Sequence, residues 1–417
     1  MNYTGGGKDL AECSNLLGAG EVSLDLTKIA SQVGGMVAKL KDASKERQKR
    51  LRHALAVVSN ETIDLDKLKE KIAASKTTWL VADLVDRLSS HYGAPPIPDE
   101  FTIIATDGSH IDVDRHRSTR CYLINIGSAV IHYGAEPSAA LDSFPHLYSE
   151  DEDLVITSPG AKGREQPIEG TLLGIKRTVE ECRKLAKMAA ELPTGSTSLA
   201  LLDGSLILWG LEAYPEFVTE ALLVKGFIPC LEDIRKLNNK RLALASYISF
   251  PRSTDVVNVL RVAICPHEPA DCDRYCPAER NCDAVAGVQD RELFLNLLGW
   301  GERSALFISQ SSIVRKHYGV HQVYFFYLRV DDEIARVEIP RWVAVDEGLL
   351  SLVHALVLDQ CRRGQGYPVA LSEAHEQAVV TAANKEQFWQ LVESSCLDEH
   401  VPTISSAKSQ SKRTRWV

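Results

Sequence analysis

The chain has 417 residues and sets 47 Lys and Arg against 56 Asp and Glu, a formal charge of −9. Hydrophobic residues make up 45% and charged residues 25%, which excludes a wholly disordered chain and is ample for a large buried core. No apolar run reaches the ~18 residues of a membrane span, and the start, Met1-Asn-Tyr-Thr-Gly-Gly-Gly-Lys8, has no apolar signal core. A cytoplasmic location away from membranes is therefore expected. Any nucleic-acid role must use a local basic surface. Ten Cys in such a chain read as thiols or metal ligands rather than disulfides.

Residues 1–22 are Gly-rich and are expected to be flexible. From Leu26, apolar residues Ile29, Ala30, Val33, Val37 and Leu40 recur at helical spacing. Lys41, Lys45, Arg47, Lys49, Arg50 and Arg52 follow, opposed by Asp42 and Glu46. This stretch is either the solvated face of a long helix or a surface for a polyanion. A second helix is predicted from Ile63 to Ser90, capped by Asp64 or Asp66, with Leu65, Leu68, Ile72, Leu80, Leu84 and Leu88 on its apolar side. Residues 23–93 thus form a predicted helical arm, which could serve in dimerisation. Ala94-Pro-Pro-Ile-Pro98 ends it.

The body is predicted to open with a strand, Phe101 to Thr106, stopped by a turn at Asp107-Gly108-Ser109, and a second strand from Cys121 to Tyr133. Residues 135–168 are rich in Pro, Ser, Asp and Glu and read as a surface loop. Thr171 to Leu192 is a helix by period, with Leu172, Val179, Cys182, Leu185, Ala186 and Ala189 on its core side. Ser198 to Leu202 is a buried strand ending in a second Asp203-Gly204-Ser205. Glu216 to Lys225 reads as helix, Leu242–Ile248 and Val256–Ile264 as helix or strand, and Val323–Val330 with Arg336–Ile339 as paired strands. Leu349–Arg363 and Ser372–Val392 are predicted helices. The tail 403–417, with Lys408, Lys412, Arg413 and Arg415, is basic and expected to be disordered.

The doubled Asp-Gly-Ser is the most informative feature. One copy is ordinary turn chemistry. Two copies, each after an apolar strand, put two carboxylates where a sheet can bring them together around Mg²⁺ or Mn²⁺ with room for a phosphate. The helix between them offers Glu180 and Glu181 at the edge of its apolar stripe, and either could turn inward. Near the C-terminus, Pro368 favours an extended entry. Ser372 could then cap a helix carrying His375 in its first turn, where the helix dipole favours a neutral ring able to ligate metal or accept a proton. Tyr367 could donate its hydroxyl to a phosphate oxygen, or simply pack.

The order of these elements resembles the NurA family of DNA nucleases. It comprises the two Asp-Gly-Ser copies, the acidic helix, Phe325-Phe-Tyr-Leu-Arg329 through Arg336-Val-Glu-Ile-Pro340, then Tyr367-Pro368 and Glu373-Ala-His375. The resemblance spans about residues 100–395. It implies an α/β, RNase H-like mixed-sheet core with flanking helices, DNA as substrate, and Mn²⁺ favoured over Mg²⁺. It also implies a homodimer, a HerA-type hexameric ATPase as partner, and a role in DNA end resection and repair by 5′–3′ exonuclease action, single-strand endonuclease action or both. By the same resemblance Asp107, Glu181, Asp203, Tyr367 and His375 are the catalytic set, with Asp107, Glu181, Asp203 and His375 at the metal; Glu180 is the rival of Glu181. A non-catalytic dimeric adaptor of a DNA-translocating ATPase, or an RNase H-like enzyme acting on RNA or hybrids, are the alternatives.

One segment departs from that pattern. Cys265-x6-Cys272-x3-Cys276-x5-Cys282, within an insertion at 265–282, groups four thiols in a Pro- and Asp-rich loop. Clustered thiols suggest thiolate ligation. The spacing matches neither a zinc ribbon nor a ferredoxin run, so Zn²⁺, an Fe–S cluster and no metal all stay open.

Overall fold

The computed structural model describes residues 26–402 apart from positions 61, 115, 161–162, 238 and 277–279. The flexible start (1–22) and the basic tail (403–417) expected from the sequence lie outside the described residues. The chain divides into a unit ending at Arg50 and a second from Leu51 onward. The first unit is helical in its described part, within helix α1 (Leu26–Val58). Its apolar residues Leu26, Val33, Met36, Val37 and Leu40 are exposed.

The second unit opens with the end of α1 and with α2 (Leu65–Ala74), which Asp64 caps by accepting from the Asp66 and Lys67 amides. The predicted helix to Ser90 is not formed: α2 stops at Ala74. Beyond it, Thr77-Thr78-Trp79 brings side chains that crowd the preceding helical turn. The chain extends instead, and Asp83–Leu84 and His91–Tyr92 join the main sheet. Leu84 and Leu88 are buried as the spacing required, but beneath a sheet rather than along a helix.

The centre is a mixed sheet. Strands β1 (Phe101–Ile111), β2 (Tyr122–Tyr133) and β3 (Ser138–Tyr148) pair antiparallel. On the other side of β1 lie β4 (Thr197–Asp203), parallel to β1, and β5 (Arg241–Ile248), parallel to β4. The hairpin β6 (Val323–Val330) and β7 (Glu333–Pro340) follows, with β7 antiparallel to β5. The segment 135–168 is therefore not a loop: it holds the edge strand β3. An edge strand is tied by its backbone ladder and needs little burial, so its composition carries a weak strand signal.

Alternation along the strands separates two apolar layers. Ile104, Ala200, Leu202 and Leu244 face helix α3 (Thr171–Glu191), whose Leu172, Val179, Cys182, Leu185 and Ala189 are buried against them. Ile103, Ala105, Leu199, Leu201, Ala243 and Ala245 face the opposite way. There they meet helices α5 (Glu347–Arg363) and α6 (Val369–Ala378), numbered after α4 (Asp255–Ala263). A third core gathers α2, α4, the end of α1 and the β6–β7 hairpin.

The C-terminal helix expected over Ser372–Val392 is two helices, α6 and α7 (Ala382–Asp398). Thr381 and Asn384 form a capping box, which starts a new helix where the β-branched run Val379-Val380-Thr381 ends the old one. Ser372 is no cap: Pro368 stands before the first helical residue, and His375 falls in the last turn of α6 rather than the first.

Candidate active site

Asp107 and Asp203 come from neighbouring parallel strands. The register pairs Thr106 with Leu202, so the next residues, Asp107 and Asp203, stand level on strands about 5 Å apart. By alternation both point to the α6 face. The two Asp-Gly-Ser copies differ in backbone. Asp203 ends β4, and Gly204 turns the chain at φ +80°, its amide donating to Tyr247 O at 3.0 Å. Asp107-Gly108-Ser109, predicted as a turn, lies inside β1.

Gly108 has a different reason to be glycine. A Cβ there would lie 2.6 Å from Glu181 Oε1 and 2.9 Å from Arg177 Cγ. The missing side chain opens a gap in the face that α3 covers, and Glu181 reaches through it toward the aspartates. Thr106 Oγ1 donates to the Glu181 carbonyl at 3.1 Å and fixes α3 on β1. Of the two candidate acids, Glu181 faces inward and is buried. Glu180 faces the other edge of α3, between Lys176 at 2.9 Å and Arg183.

Burial first, then the charges of Asp107 and Asp203, push the Glu181 carboxyl up to about 8 against the opposing pull of Arg177. Arg177 Nε lies 3.0 Å from Glu181 Oε1, yet the two are misaligned and neither makes a hydrogen bond. Desolvation in the cleft raises the Asp203 pKa, Tyr367 lowers it, and Asp107 raises it again.

The second half of the site comes from α6. Gly127 pairs with Asp107 across β1 and β2, and a Cβ at Gly127 would meet Ala374 O at 2.0 Å and the Ala378 amide at 2.4 Å. Glycine there lets α6 lie directly on the sheet. Asn125 Nδ2 donates to Ala378 O at 2.9 Å and to Gln377 O at 3.1 Å, and Ser109 Oγ also donates to Ala378 O. With its carboxyl end pinned in this way, α6 sets His375 Nδ1 2.6 Å from Asp107 Oδ2. Tyr367, just before the helix, donates its hydroxyl to Asp203 Oδ1 at 2.9 Å, and its ring meets Tyr247 edge-on.

All five sequence-predicted residues thus stand in one cleft. Among the described residues no group of three or more His, Cys, Asp or Glu side chains is placed to hold a metal ion; each acid leans instead on a protein neighbour, His375, Arg177 or Tyr367. The residues nevertheless fit a divalent cation. The three carboxylates lie within electrostatic reach of one another, a buried Glu181 oxygen lacks a hydrogen bond, and Gly108 leaves the room that oxygen occupies. Hard cations are bound by such oxygen donors.

The support beneath Asp203 was not foreseen from the sequence. Glu338 on β7 accepts from Ser205 Oγ at 2.8 Å and from the Leu206 amide at 2.9 Å, and its other oxygen accepts from Arg336 Nε at 2.9 Å. Arg336 also donates to Asp255 at 2.9 Å. The available signal was a glutamate in an otherwise apolar strand run, since buried charge needs partners. Asn125, a lone amide in the apolar strand β2, carried a similar signal.

Acids from two neighbouring strands, one inside its strand and one at its end, and from a packed helix, joined by a histidine and a tyrosine, make this an acidic site on a mixed α/β sheet. The chain belongs to the NurA family, a family of nucleases: the NurA domain matches residues 101–380. No curated protein matches the chain in a direct sequence comparison. No helix among the described residues is long and apolar enough to cross a membrane.

Proposed function

We propose that the chain is a divalent-cation-dependent deoxyribonuclease, a phosphodiester hydrolase in DNA end resection and repair. The single observation that carries this reading is that Asp107, Glu181 and Asp203, spread over 96 positions of the sequence, come within electrostatic reach of one another at the sheet. The strand order, three antiparallel and then two parallel with an aspartate on the central strand, supports the RNase H-like core that the family resemblance implies.

Asp107, Glu181 and Asp203 would hold the cation, with His375 at its edge. When bound, such an ion neutralises the acids, acidifies a water and stabilises charge on the attacked phosphate. His375 keeps Nδ1 on Asp107 and leaves Nε2 to orient water or to take a proton. The Tyr367 hydroxyl, held at Asp203, can turn its donor to a phosphate oxygen. On the α3 side of the sheet, the face opposite the aspartates, Lys176, Arg183, Lys184 and Lys187 share a groove with Glu180, Phe144, His146 and Tyr148, and Lys184 Nζ lies 3.4 Å from the Phe144 ring centroid. Cations interleaved with aromatic faces suit a single strand's phosphates and bases. A HerA-type hexameric ATPase as partner, a homodimer, and Mn²⁺ preferred over Mg²⁺ belong to the same reading.

The test compares the parent with Asp107→Ala and Asp203→Asn on single-stranded DNA, duplex DNA and RNA, each with Mn²⁺ or Mg²⁺. Cation-dependent DNA cleavage is expected in the parent and its loss in both variants, with unfolding midpoints close to the parent's. Parent-level cleavage by Asp107→Ala would overturn the assignment. An inert parent that still binds DNA and the ATPase would instead make the chain an adaptor.

A further inference from the structure

Away from the cleft, the segment from Cys265 to Val285 lacks the usual means of holding a fold together. Its described residues form two helical turns, Cys272–Tyr275 and Asn281–Ala284, and no strand. Among them the buried apolar side chains are Ala270, Cys272, Cys282 and Val285. Irregular backbone of this length inside a compact domain calls for another constraint.

The thiols supply a candidate. Cys272 and Cys282 are buried, Cys265 and Cys276 are half-buried, and all four are free. The four are electrostatic neighbours of one another: Cys265, Cys276 and Cys282 all act on Cys272, and Cys265 and Cys282 on Cys276. Their backbone positions are anchored from three directions. The Cys265 carbonyl accepts from Lys71 Nζ at 2.6 Å. The Cys272 amide donates to Lys76 O at 3.0 Å, and the Cys276 amide to Cys272 O at 3.2 Å. Beside Cys282, Asp283 pairs with Arg261 at 2.7 Å. Arg261 and Arg280 both lie over the Trp79 ring, at 3.6 and 5.2 Å. Of the nearby cations, Lys71 and Arg261 also pair with Glu268 and Asp283, and Arg280 is the one that acts directly on the Cys272 and Cys276 thiols.

We propose that Cys265, Cys272, Cys276 and Cys282 form a tetrathiolate metal centre, which staples this segment to α2 and the Trp79 stretch. The shared chemistry is four sulfur donors, and the occupant is either one Zn²⁺ or an Fe–S cluster. Among the described residues the thiols are not gathered at ligating distances, so binding would require them to draw together. Each thiol releases its proton to solvent as it binds Zn²⁺ or an Fe–S cluster delivered already assembled, so no oxidation takes place at this site.

The full chain, purified without oxygen or chelator, is analysed for metal and by visible absorption. One zinc per chain and a colourless protein identify the first occupant; iron with acid-labile sulfide and a visible band identify the second. Cys276→Ser, at a half-buried site, should fold and lose the metal, as should Cys272→Ser with Cys282→Ser. Cys396→Ser and Asp107→Ala should retain it, which separates this centre from the carboxylate cleft. A metal-free parent that takes up neither added Zn²⁺ nor Co²⁺ overturns the proposal. Metal kept by Cys276→Ser and by the double variant overturns it as well.

Discussion

Gly108 and Gly127 do more for the cleft than any residue bearing a side chain beside them. Gly108→Ala would set a methyl group 2.6 Å from Glu181 Oε1. The carboxylate must then withdraw, at a stability cost of about 1–3 kcal/mol for overpacking. Cleavage should fall at least tenfold, and a higher cation concentration should recover part of it, as a cation titration of the rate would reveal. Glu338→Gln tests the support of Asp203. It leaves Arg336 with one carboxylate fewer in a buried site, for a loss of about 3 kcal/mol. Denaturant unfolding should register that loss, and the rate should drop without any change in the cation required. The sequence displayed both aspartates, Glu181, Tyr367 and His375 because chemistry of that kind needs particular residue types. It hid the work of Gly108, since a glycine after aspartate reads equally as a turn, and only the approach of α3 decides between the two.

At the level of elements, the seating of α6 governs His375. Gly127→Ala places a Cβ against backbone atoms of α6, 2.0 Å from Ala374 O, which no side-chain rotation can relieve. The helix should lift, with about 2 kcal/mol or more lost and a rate close to that of His375→Ala. If Gly127→Ala matched the parent in both unfolding and cleavage, α6 would not be held as described. Long periodic elements such as α3 and α5, and the apolar strands β1, β4, β6 and β7, were legible because burial imposes a period on composition. The false continuation of α2 and the fusion of α6 with α7 share one cause. Leucines and valines at a helical spacing also suit strands and bends, and a capping box at Thr381 outweighs that spacing. Strand β3 escaped notice because its partner, rather than its own side chains, holds it.

For the molecule as a whole, two measurements probe charge. His354 is buried, its Nε2 2.8 Å from Gly301 O, and burial pulls its pKa down to about 4 from 6.5. The folded state therefore resists a proton that the unfolded chain accepts. Stability is full above pH 6.5 and declines as pH falls toward 4, by about 3 kcal/mol from this group. Urea unfolding across that range should show His354→Gln with the shallower decline; equal slopes would remove His354 from the account. DNA affinity should weaken steeply with salt, and Lys184→Ala with Lys187→Ala should flatten that dependence while leaving the cation requirement alone. Binding insensitive to salt would count against the groove. The chain order of the site has a last consequence. The aspartates and Glu181 are synthesised first, and the tyrosine and histidine that complete the cleft arrive only near residue 375. A nascent or truncated chain that stops short of residue 367 would carry Asp203 and Asp107 without the hydrogen bonds that Tyr367 and His375 make to them.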